Sequence, residues 1–321
     1  MNELLKELKS TKKPYWGQQG GWDQINDYFP SKGRKIRGYP LAQFIKNPQK
    51  DPLPEILKSH ADGEILEFDW HTRHPAFQKY KSISIPKEEC SIAKYLPALK
   101  PDIDRIISSI FLPLKERGIN VMFRPFHESS GGWFWWGVGN NTVNTGEDVA
   151  NAHRWLYSYL KERGCDNVVY VWNVNTHQLK TKEKGLANYP GKGFCDILSI
   201  DCYGSLVDVD SVVKESLWLK ELAITDNKPL ALSEFGISIK ENPYGIMLKS
   251  KPEDIPGYWE RLETFCSNFG FCYTRTWFGR TWPPIWGWVP VRGRSPLEDQ
   301  SVNEFIDFIN RGSVITRTVK G

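Results

Sequence analysis

The sequence contains no run of about 18 consecutive apolar residues, the length that a membrane-spanning helix needs. It has no cluster of five or six lysines or arginines either, although its formal net charge is +4. The six cysteines include no CxxC pair and show no zinc-ligand spacing, so disulfides and free buried thiols both remain open for them. We therefore expect no membrane, nucleic-acid or metal partner and no cofactor.

Aromatic residues are abundant, with 14 Trp, 13 Tyr and 16 Phe making up 13% of the chain. The rest of the composition, 40% hydrophobic and 25% charged, is that of an ordinary globular protein. Rings with one apolar face and one polar group suit wet surfaces that must still hold an apolar partner, including the face of a sugar. Most of these rings are nevertheless expected in the core.

Eight β-rich runs alternate with longer helical patterns, which predicts parallel strands joined by helical crossovers. No GxGxxG follows the first run, and no linker or fixed-period repeat occurs. We therefore predict an α/β fold with one (β/α)8 TIM barrel, a single catalytic domain over residues 1–321 with an N-terminal extension at 1–13. The runs are PYWGQQG from Pro14, RKIRGYP from Arg34, GEILEFDWH from Gly63, INVMFRPFHE from Ile119, NVVYVWN from Asn167, CDILSIDCYG from Cys195, PLALSEFG from Pro229 and FCYTRTWF from Phe271.

Two helices are predicted by apolar residues at helical spacing. The first is PDIDRIISSIFLPLKERG, which Gly118 ends, and the second is TGEDVANAHRWLYSYLKERG, which Gly164 ends. Thr145 and Asp148 predict a capping box at the start of the second helix. Further helices are predicted near residues 210–223, 256–268 and 296–310.

In such a barrel the carboxyl ends of the strands face a common mouth, where active sites are built. Glu128 ends the fourth predicted strand and Glu234 the seventh. A single glutamate at a strand end is usually part of a surface ion pair or a helix cap. Two carboxylates in an aromatic cleft, in contrast, match glycoside hydrolysis. Apolar rings and a neighbouring charge keep such an acid protonated near neutral pH. The glycines of SSGGW let this loop bend, so that its rings turn towards the cleft.

The segment RPFHESSGGWFWWG, from Arg124 to Gly137, and the later LSEFG together resemble the β-mannanases of glycoside hydrolase family 26. The likeness extends from about Pro14 to Trp277 and includes FDWH, YPG and DCYG. It implies that Glu128 is the general acid/base and Glu234 the nucleophile of a retaining double displacement without a metal.

The resemblance also implies residues that bind the sugar or position the carboxylates, each of which is alternatively an ordinary core residue. They are His71, His127, Trp133, Tyr203 and Trp277.

Several further positions leave alternatives open. Trp172, at the end of the fifth predicted strand, fits either the cleft or the core, and Arg124 fits either an inward charge that acts on the carboxylates or a buried ion pair. The ring-rich segment Thr281–Pro290 is predicted as a rigid loop beyond the eighth strand, and an extension of the sugar platform is one hypothesis for it, although it carries no strong motif. His71 and His74 have the spacing of two metal ligands but lack a third.

Two departures from the family pattern limit what can be transferred. Lys192 follows YPG where an acidic residue is expected, and Ser129–Gly131 replaces a bulkier spacer. Subsite detail is therefore not carried over.

The expected function is an endo-acting β-1,4-mannanase, a monomer whose partner is a neutral polysaccharide such as mannan, glucomannan or galactomannan. A retaining β-glucanase or β-1,3-xylanase of the same fold is the alternative, followed by a carbohydrate-binding protein without activity. The N-terminal residues contain no apolar signal segment. The size of the polymer nevertheless predicts a secreted protein.

Overall fold

The computed structural model describes residues 2–19, 32–33, 36–47, 49–80, 85–176, 182–203, 209–236, 256–276, 296–315 and 317–318. Eight strands form a closed barrel in the order β1-β3-β4-β5-β6-β7-β8-β9, and β10 pairs with β2 in a separate two-stranded sheet. The strands are β1 Tyr15–Gln19, β2 Lys32–Gly33, β3 Ile36–Pro40, β4 Ile65–Trp70, β5 Val121–Pro125, β6 Val168–Asn175, β7 Ile197–Tyr203, β8 Leu230–Gly236, β9 Tyr273–Thr276 and β10 Arg317–Thr318.

The predicted barrel is confirmed, because each of the eight β-rich runs overlaps one barrel strand. Pairing is parallel between β1 and β3, β1 and β9, β4 and β5, β5 and β6, and β8 and β9. Strands β4, β5, β6 and β8 are buried along their whole length. Burial on both faces explains why these strands read as apolar runs rather than as alternating patterns.

Helices lie between most of the strands. They are α1 Glu3–Ser10, α2 Leu41–Lys46, α3 Leu53–Ala61, α4 Phe77–Tyr80, α5 Ile92–Tyr95, α6 Lys100–Ile106, α7 Leu112–Lys115, α8 Gly146–Glu162, α9 Lys182–Leu186, α10 Val209–Thr225, α11 Tyr258–Phe269 and α12 Pro296–Asn310. Short 3-10 turns occupy Lys87–Glu89 and Leu96–Leu99. Among the described residues no helix is both long and apolar enough to cross a lipid bilayer.

The two helices that the periodicity predicted are present, and one of them has an irregular turn. Between α6 and α7 the chain makes a π-helical turn over Ile107–Phe111. Pro113 follows this turn, and a proline has no N–H to donate to the preceding turn. In α8 the Thr145 hydroxyl accepts from the Asp148 N–H at 3.1 Å, and the Asp148 carboxylate accepts from the Thr145 N–H at 2.8 Å, so the capping box is confirmed.

The chain divides into two compact units, which we describe separately. The first comprises Met1–Glu7, Tyr39–Ala61 and Leu66–Ser199, and the second Leu8–Gly38, Asp62–Ile65 and Ile200–Gly321. In the second unit the buried Trp16 ring contacts Phe235, Trp259 and Phe305 at centroid distances of 5.7, 6.2 and 5.3 Å. Such ring contacts are the largest source of buried apolar area per residue.

In the first unit, the core forms between β4, β5 and the helical segment from Lys100 to Lys115. The Phe111 ring lies 5.9 Å from Phe68 and 5.2 Å from Phe123, both edge-on. The segment at 1–13, predicted as an extension, contains α1, and Leu4 in this helix is buried. The single-domain assignment stays a prediction.

All six cysteines are free thiols, and all are buried. This result decides between the two states that the sequence left open. Burial raises the pKa of Cys165 to about 11, so its reactive thiolate is scarce near neutral pH.

His153 lies on the buried face of α8 and generates a prediction about acid stability. Its Nδ1 is 2.9 Å from the Tyr170 hydroxyl, its ring packs on Phe126, and complete burial lowers its pKa to about 3. Below pH 6.5 the unfolded chain therefore takes up a proton that the folded chain does not bind. This difference costs about 1.4 kcal/mol of unfolding free energy per pH unit as the pH falls towards 3.

The substitution His153→Gln should remove this dependence, because glutamine does not titrate. We expect wild-type protein to lose about 2 kcal/mol more unfolding free energy than the variant between pH 6.5 and pH 5 in urea titrations. Equal losses in the two proteins would show that His153 is protonated in the folded state.

Candidate active site

The backbone reverses sharply after β5, where the predicted acid/base lies. Phe126 and Glu128 both have left-handed backbone angles, with φ of 48° and 51°. Side chains other than glycine rarely adopt this region, at a cost of about 1–3 kcal/mol each. Phe126 is completely buried against Trp70 and His153, at ring distances of 5.5 Å from both. Packing of this ring therefore stabilises a turn that the local backbone disfavours.

The Glu128 carboxylate is buried and held by two neutral donors. Trp133 Nε1 donates to Oε2 at 2.7 Å, and Asn175 Nδ2 donates to Oε1. The backbone N–H of Glu128 donates to Asn173 Oδ1 at 2.7 Å. The two side-chain hydrogen bonds thus fix the orientation of the carboxylate.

Asn173 and Asn175 are functional candidates that the sequence reasoning missed. Strand β6 continues to Asn175, two residues beyond the predicted run, and two asparagines at a strand end were the available signal. Asn173 is itself held, because its Nδ2 donates to Ser199 Oγ at 3.0 Å. The strand next to β5 therefore positions both the backbone and the side chain of Glu128.

The glycines of the following loop permit close contacts of backbone and ring. A Cβ on Gly131 would lie 2.2 Å from the Trp133 ring, and one on Gly132 would lie 2.7 Å from the Cα of Gly139. A Cβ on Gly137 would lie 2.0 Å from the Gly131 carbonyl oxygen. The sequence predicted that these glycines allow bending; the structure shows that the lack of a side chain is what allows the loop to fold onto itself.

Rings from this loop form a cluster with two histidines. Phe134 and Trp136 stack at 4.3 Å with an interplanar angle of 13°, and the His71 ring meets them edge-on at 4.7 and 5.2 Å. His127 is buried, with its ring 5.0 Å from Phe134 and 5.4 Å from His71. Among the sequence-predicted site residues, His71, His127, Trp133 and Glu128 are therefore brought together.

His71 is exposed to solvent on one side, but the loop rings remove water from much of its imidazole. This desolvation lowers its pKa to about 4, and the nearby Lys46 and Arg124 charges act in the same direction, opposed by Asp69. The ring is therefore uncharged near neutral pH. His74 does not match a metal ligand, because its Nε2 is 2.9 Å from the Glu89 carbonyl and its Nδ1 accepts from the Ala76 N–H at 3.0 Å.

Arg124 and Trp172 both lie in the core, which for each was one of two predicted alternatives. Arg124 is fully buried in an ion pair with Asp69 at 2.7 Å, with Glu67 at 3.9 Å, which is the second of its two predicted alternatives. Trp172 is completely buried, its Nε1 donates to the Asn188 carbonyl at 3.2 Å, and its ring lies 4.9 Å from Tyr189. Its burial corrects the prediction that Trp172 binds sugar, because no face of the indole is open.

Glu234 lies in β8, in the second unit, and has a more strongly charged environment. Tyr203 donates its hydroxyl to Oε2 at 2.5 Å, and Arg275 Nη2 lies 3.8 Å from Oε1. An oxygen of Asp201 lies within 4.8 Å of a Glu234 oxygen. Arg275 is fixed in turn, because its Nε donates to the Ser233 carbonyl at 3.0 Å. Trp277 and the segment Thr281–Pro290 lie outside the described residues.

The groups around Glu234 act on its charge in opposite directions. The Arg275 guanidinium and the Tyr203 hydroxyl stabilise a negative charge on this carboxylate, whereas an ionised Asp201 opposes it. A buried, oriented carboxylate of this kind is suited to act as a nucleophile.

Comparison with known proteins identifies relatives of this chain. The family model of glycosyl hydrolase family 26 matches residues 25–262. A mannan endo-1,4-beta-mannosidase of Bacillus subtilis is 30% identical over 197 residues, 57% of this chain and 50% of that protein. Endoglucanase H of Acetivibrio thermocellus is 34% identical over 101 residues, 31% of this chain and 11% of that protein. The chain thus spans half or less of the length of these relatives.

A solved structure of a beta-mannanase from Bacteroides ovatus is similar in fold. The superposition has a TM-score of 0.70 at 21% identity and covers 98% of this chain and 93% of that one. At this identity the likeness concerns the fold alone.

The Gly131 contact generates a prediction. Gly131→Ala should displace the Trp133 ring and break its bond to Glu128, at a cost of about 1–3 kcal/mol from overpacking. We expect a shifted Trp133 indole N–H resonance in NMR spectra and a lower melting temperature. Gly193→Ala is the matched control, because a Cβ there meets nothing within 4 Å. An unchanged indole resonance in Gly131→Ala would contradict the packing described.

Proposed function

The chain belongs to glycosyl hydrolase family 26, and from this membership we propose that it is a retaining endo-β-1,4-mannanase acting on mannan, glucomannan or galactomannan. The observation that carries the proposal is the Glu128 carboxylate, buried beside an indole donor at the carboxyl end of a barrel strand. Barrel enzymes build their active sites at this end.

In the first proposed step Glu234 attacks the anomeric carbon of a mannosyl unit. Tyr203 directs the carboxylate by its hydrogen bond, and Arg275 keeps it ionised. A bond forms between the carboxylate oxygen and the anomeric carbon while the glycosidic C–O bond breaks. The mannosyl unit is then covalently attached to the enzyme.

Glu128 supplies the proton that this step needs. The leaving sugar oxygen takes the Glu128 proton, and Glu128 then accepts a proton from the water that releases the mannosyl unit. Trp133 and Asn175 hold the carboxyl group through both steps without adding a charge, which lets it gain and lose its proton. Because Glu128 has regained its proton and Glu234 is again a free carboxylate, the enzyme returns to its starting state.

The neutral histidines and the rings are proposed to bind the sugar. His71 lies at the surface of the ring cluster, where its uncharged imidazole is placed to bond a hydroxyl group. His127 and Trp133 lie beside Glu128 in the same cluster. A long polysaccharide cannot enter a cell, and for this reason we propose that the protein acts outside it. That it acts as a monomer stays a prediction.

A β-glucanase is the second candidate, because the similarity to an endoglucanase includes part of this chain. The two backbones differ at C2, where mannose has an axial hydroxyl. Initial rates on mannohexaose and on barley β-glucan decide between them. A higher kcat/KM on the glucan would replace the mannanase assignment with a glucanase.

The two carboxylates should respond differently to removal. Glu234→Ala should abolish hydrolysis of mannan and of 2,4-dinitrophenyl β-mannobioside. Glu128→Ala should lose about 10²–10⁴-fold on mannan yet still form the covalent intermediate from the dinitrophenyl substrate, whose leaving group needs no proton. Glu116→Ala, an exposed glutamate, is the control. Full mannan activity in either of the first two variants would refute the assigned roles.

Arg275 should set the acid side of the pH profile. In Arg275→Met the Asp201 charge is no longer offset. Glu234 should therefore become protonated, and lose its nucleophilic form, at a higher pH. We expect the acidic limb of kcat/KM to move to higher pH, with a loss of up to about tenfold near pH 5 for each about 1.4 kcal/mol of lost attraction. Arg275→Lys should restore much of the limb. A uniform loss across all pH values would indicate a purely structural role.

A further inference from the structure

A large cavity in the first unit lies beside the ring cluster. Its volume is about 1430 Å³, above the range of about 300–1,000 Å³ that pockets for one small ligand occupy. Trp133 lines this cavity and also donates to Glu128. Trp133 therefore lies between the cavity and the carboxyl group of Glu128.

The charges that line the cavity are unbalanced. Lys46, Arg73 and Lys87 contribute three positive charges, and Asp102 contributes the one negative charge among its described lining residues, a formal sum of +2. The two histidines of the lining do not change this sum, because loss of hydration lowers the pKa of both His71 and His74.

The three cations have no acidic partner within the described part of the chain, in contrast to nearby basic residues. Lys94, for example, pairs with Glu89 at 2.7 Å. The Arg73 guanidinium instead lies over the Phe77 ring, 3.8 Å from its centroid, a contact that leaves its edge N–H groups available. A partly enclosed wall of uncompensated positive charge favours an anionic ligand.

We propose that this cavity binds an acidic sugar unit, a uronic acid carried by the same polysaccharide that the active site cuts. The inference rests on the proposed function and extends it to the substrate class. Arg73 suits a carboxylate because its two parallel N–H groups match the two oxygens, while Lys46 and Lys87 act as point charges. The indole and phenyl faces of the lining accept the apolar face of the sugar ring.

Binding to the Glu234→Ala variant tests this proposal, since the measurement then does not depend on turnover. The ligands are mannohexaose and the same hexaose oxidised at its C6 hydroxyls to uronic acids. By calorimetry, we expect the oxidised ligand to bind about tenfold more tightly at low ionic strength, and this advantage to fall to about twofold at 0.5 M salt, because salt screens the attraction.

A triple variant in the same background, Lys46→Gln, Arg73→Gln and Lys87→Gln, should abolish the preference for the oxidised ligand. The control is Lys9→Gln, Lys12→Gln and Lys214→Gln, three exposed lysines that do not line the cavity, which gives the same net charge and should keep the preference. Equal affinities for the two hexaoses, or a preference that survives in the cavity variant, would overturn the proposal.

The outcome is separable from that of the proposed function. Hydrolysis of neutral mannan by the wild-type protein with no preference for the oxidised ligand refutes the acidic-sugar site alone. A clear preference without hydrolysis of any β-mannan refutes the mannanase proposal alone.

Discussion

The reversal of the backbone after β5 is the constraint on which the rest of the site depends. Two residues with side chains adopt left-handed angles there, at a cost of about 1–3 kcal/mol each. Burial of the Phe126 ring contributes about 1.5–3 kcal/mol, and hydrogen bonds to a charged group contribute a similar amount each. The turn is therefore stabilised by tertiary contacts, and it delivers Glu128 to its donors.

The two carboxylates have different surroundings, and that difference is the basis of the proposed division of roles. Glu128 faces an indole and an amide, which are neutral donors, whereas Glu234 faces a guanidinium and a phenol beside a second acid. Environments that differ in this way separate the protonation states of two similar groups. A group that exchanges a proton and a group that stays ionised are what a double displacement requires.

Much of this arrangement could be predicted from the sequence, because the barrel strands are buried on both faces and therefore appear as apolar runs. The capping box of α8 was predictable for a local reason, since its two residues are three positions apart. Asn175 could not be found in this way, because its bond to Glu128 depends on how β6 lies beside β5 and not on any local pattern. Trp172 shows the converse. The sequence around a tryptophan near a strand end does not reveal whether its ring faces an open cleft or is covered, as it is here by Asn188 and Tyr189.

The covalent step is the central claim, and one measurement tests it most directly. The wild-type protein is treated with a 2-deoxy-2-fluoro-β-mannosyl fluoride, which slows release of the intermediate, and the labelled peptide is then sequenced by mass spectrometry. The account predicts one fluoromannosyl group per chain, attached to Glu234 in the peptide that contains LSEFG. Attachment to Glu128, or hydrolysis with inversion and no attached sugar, would contradict it.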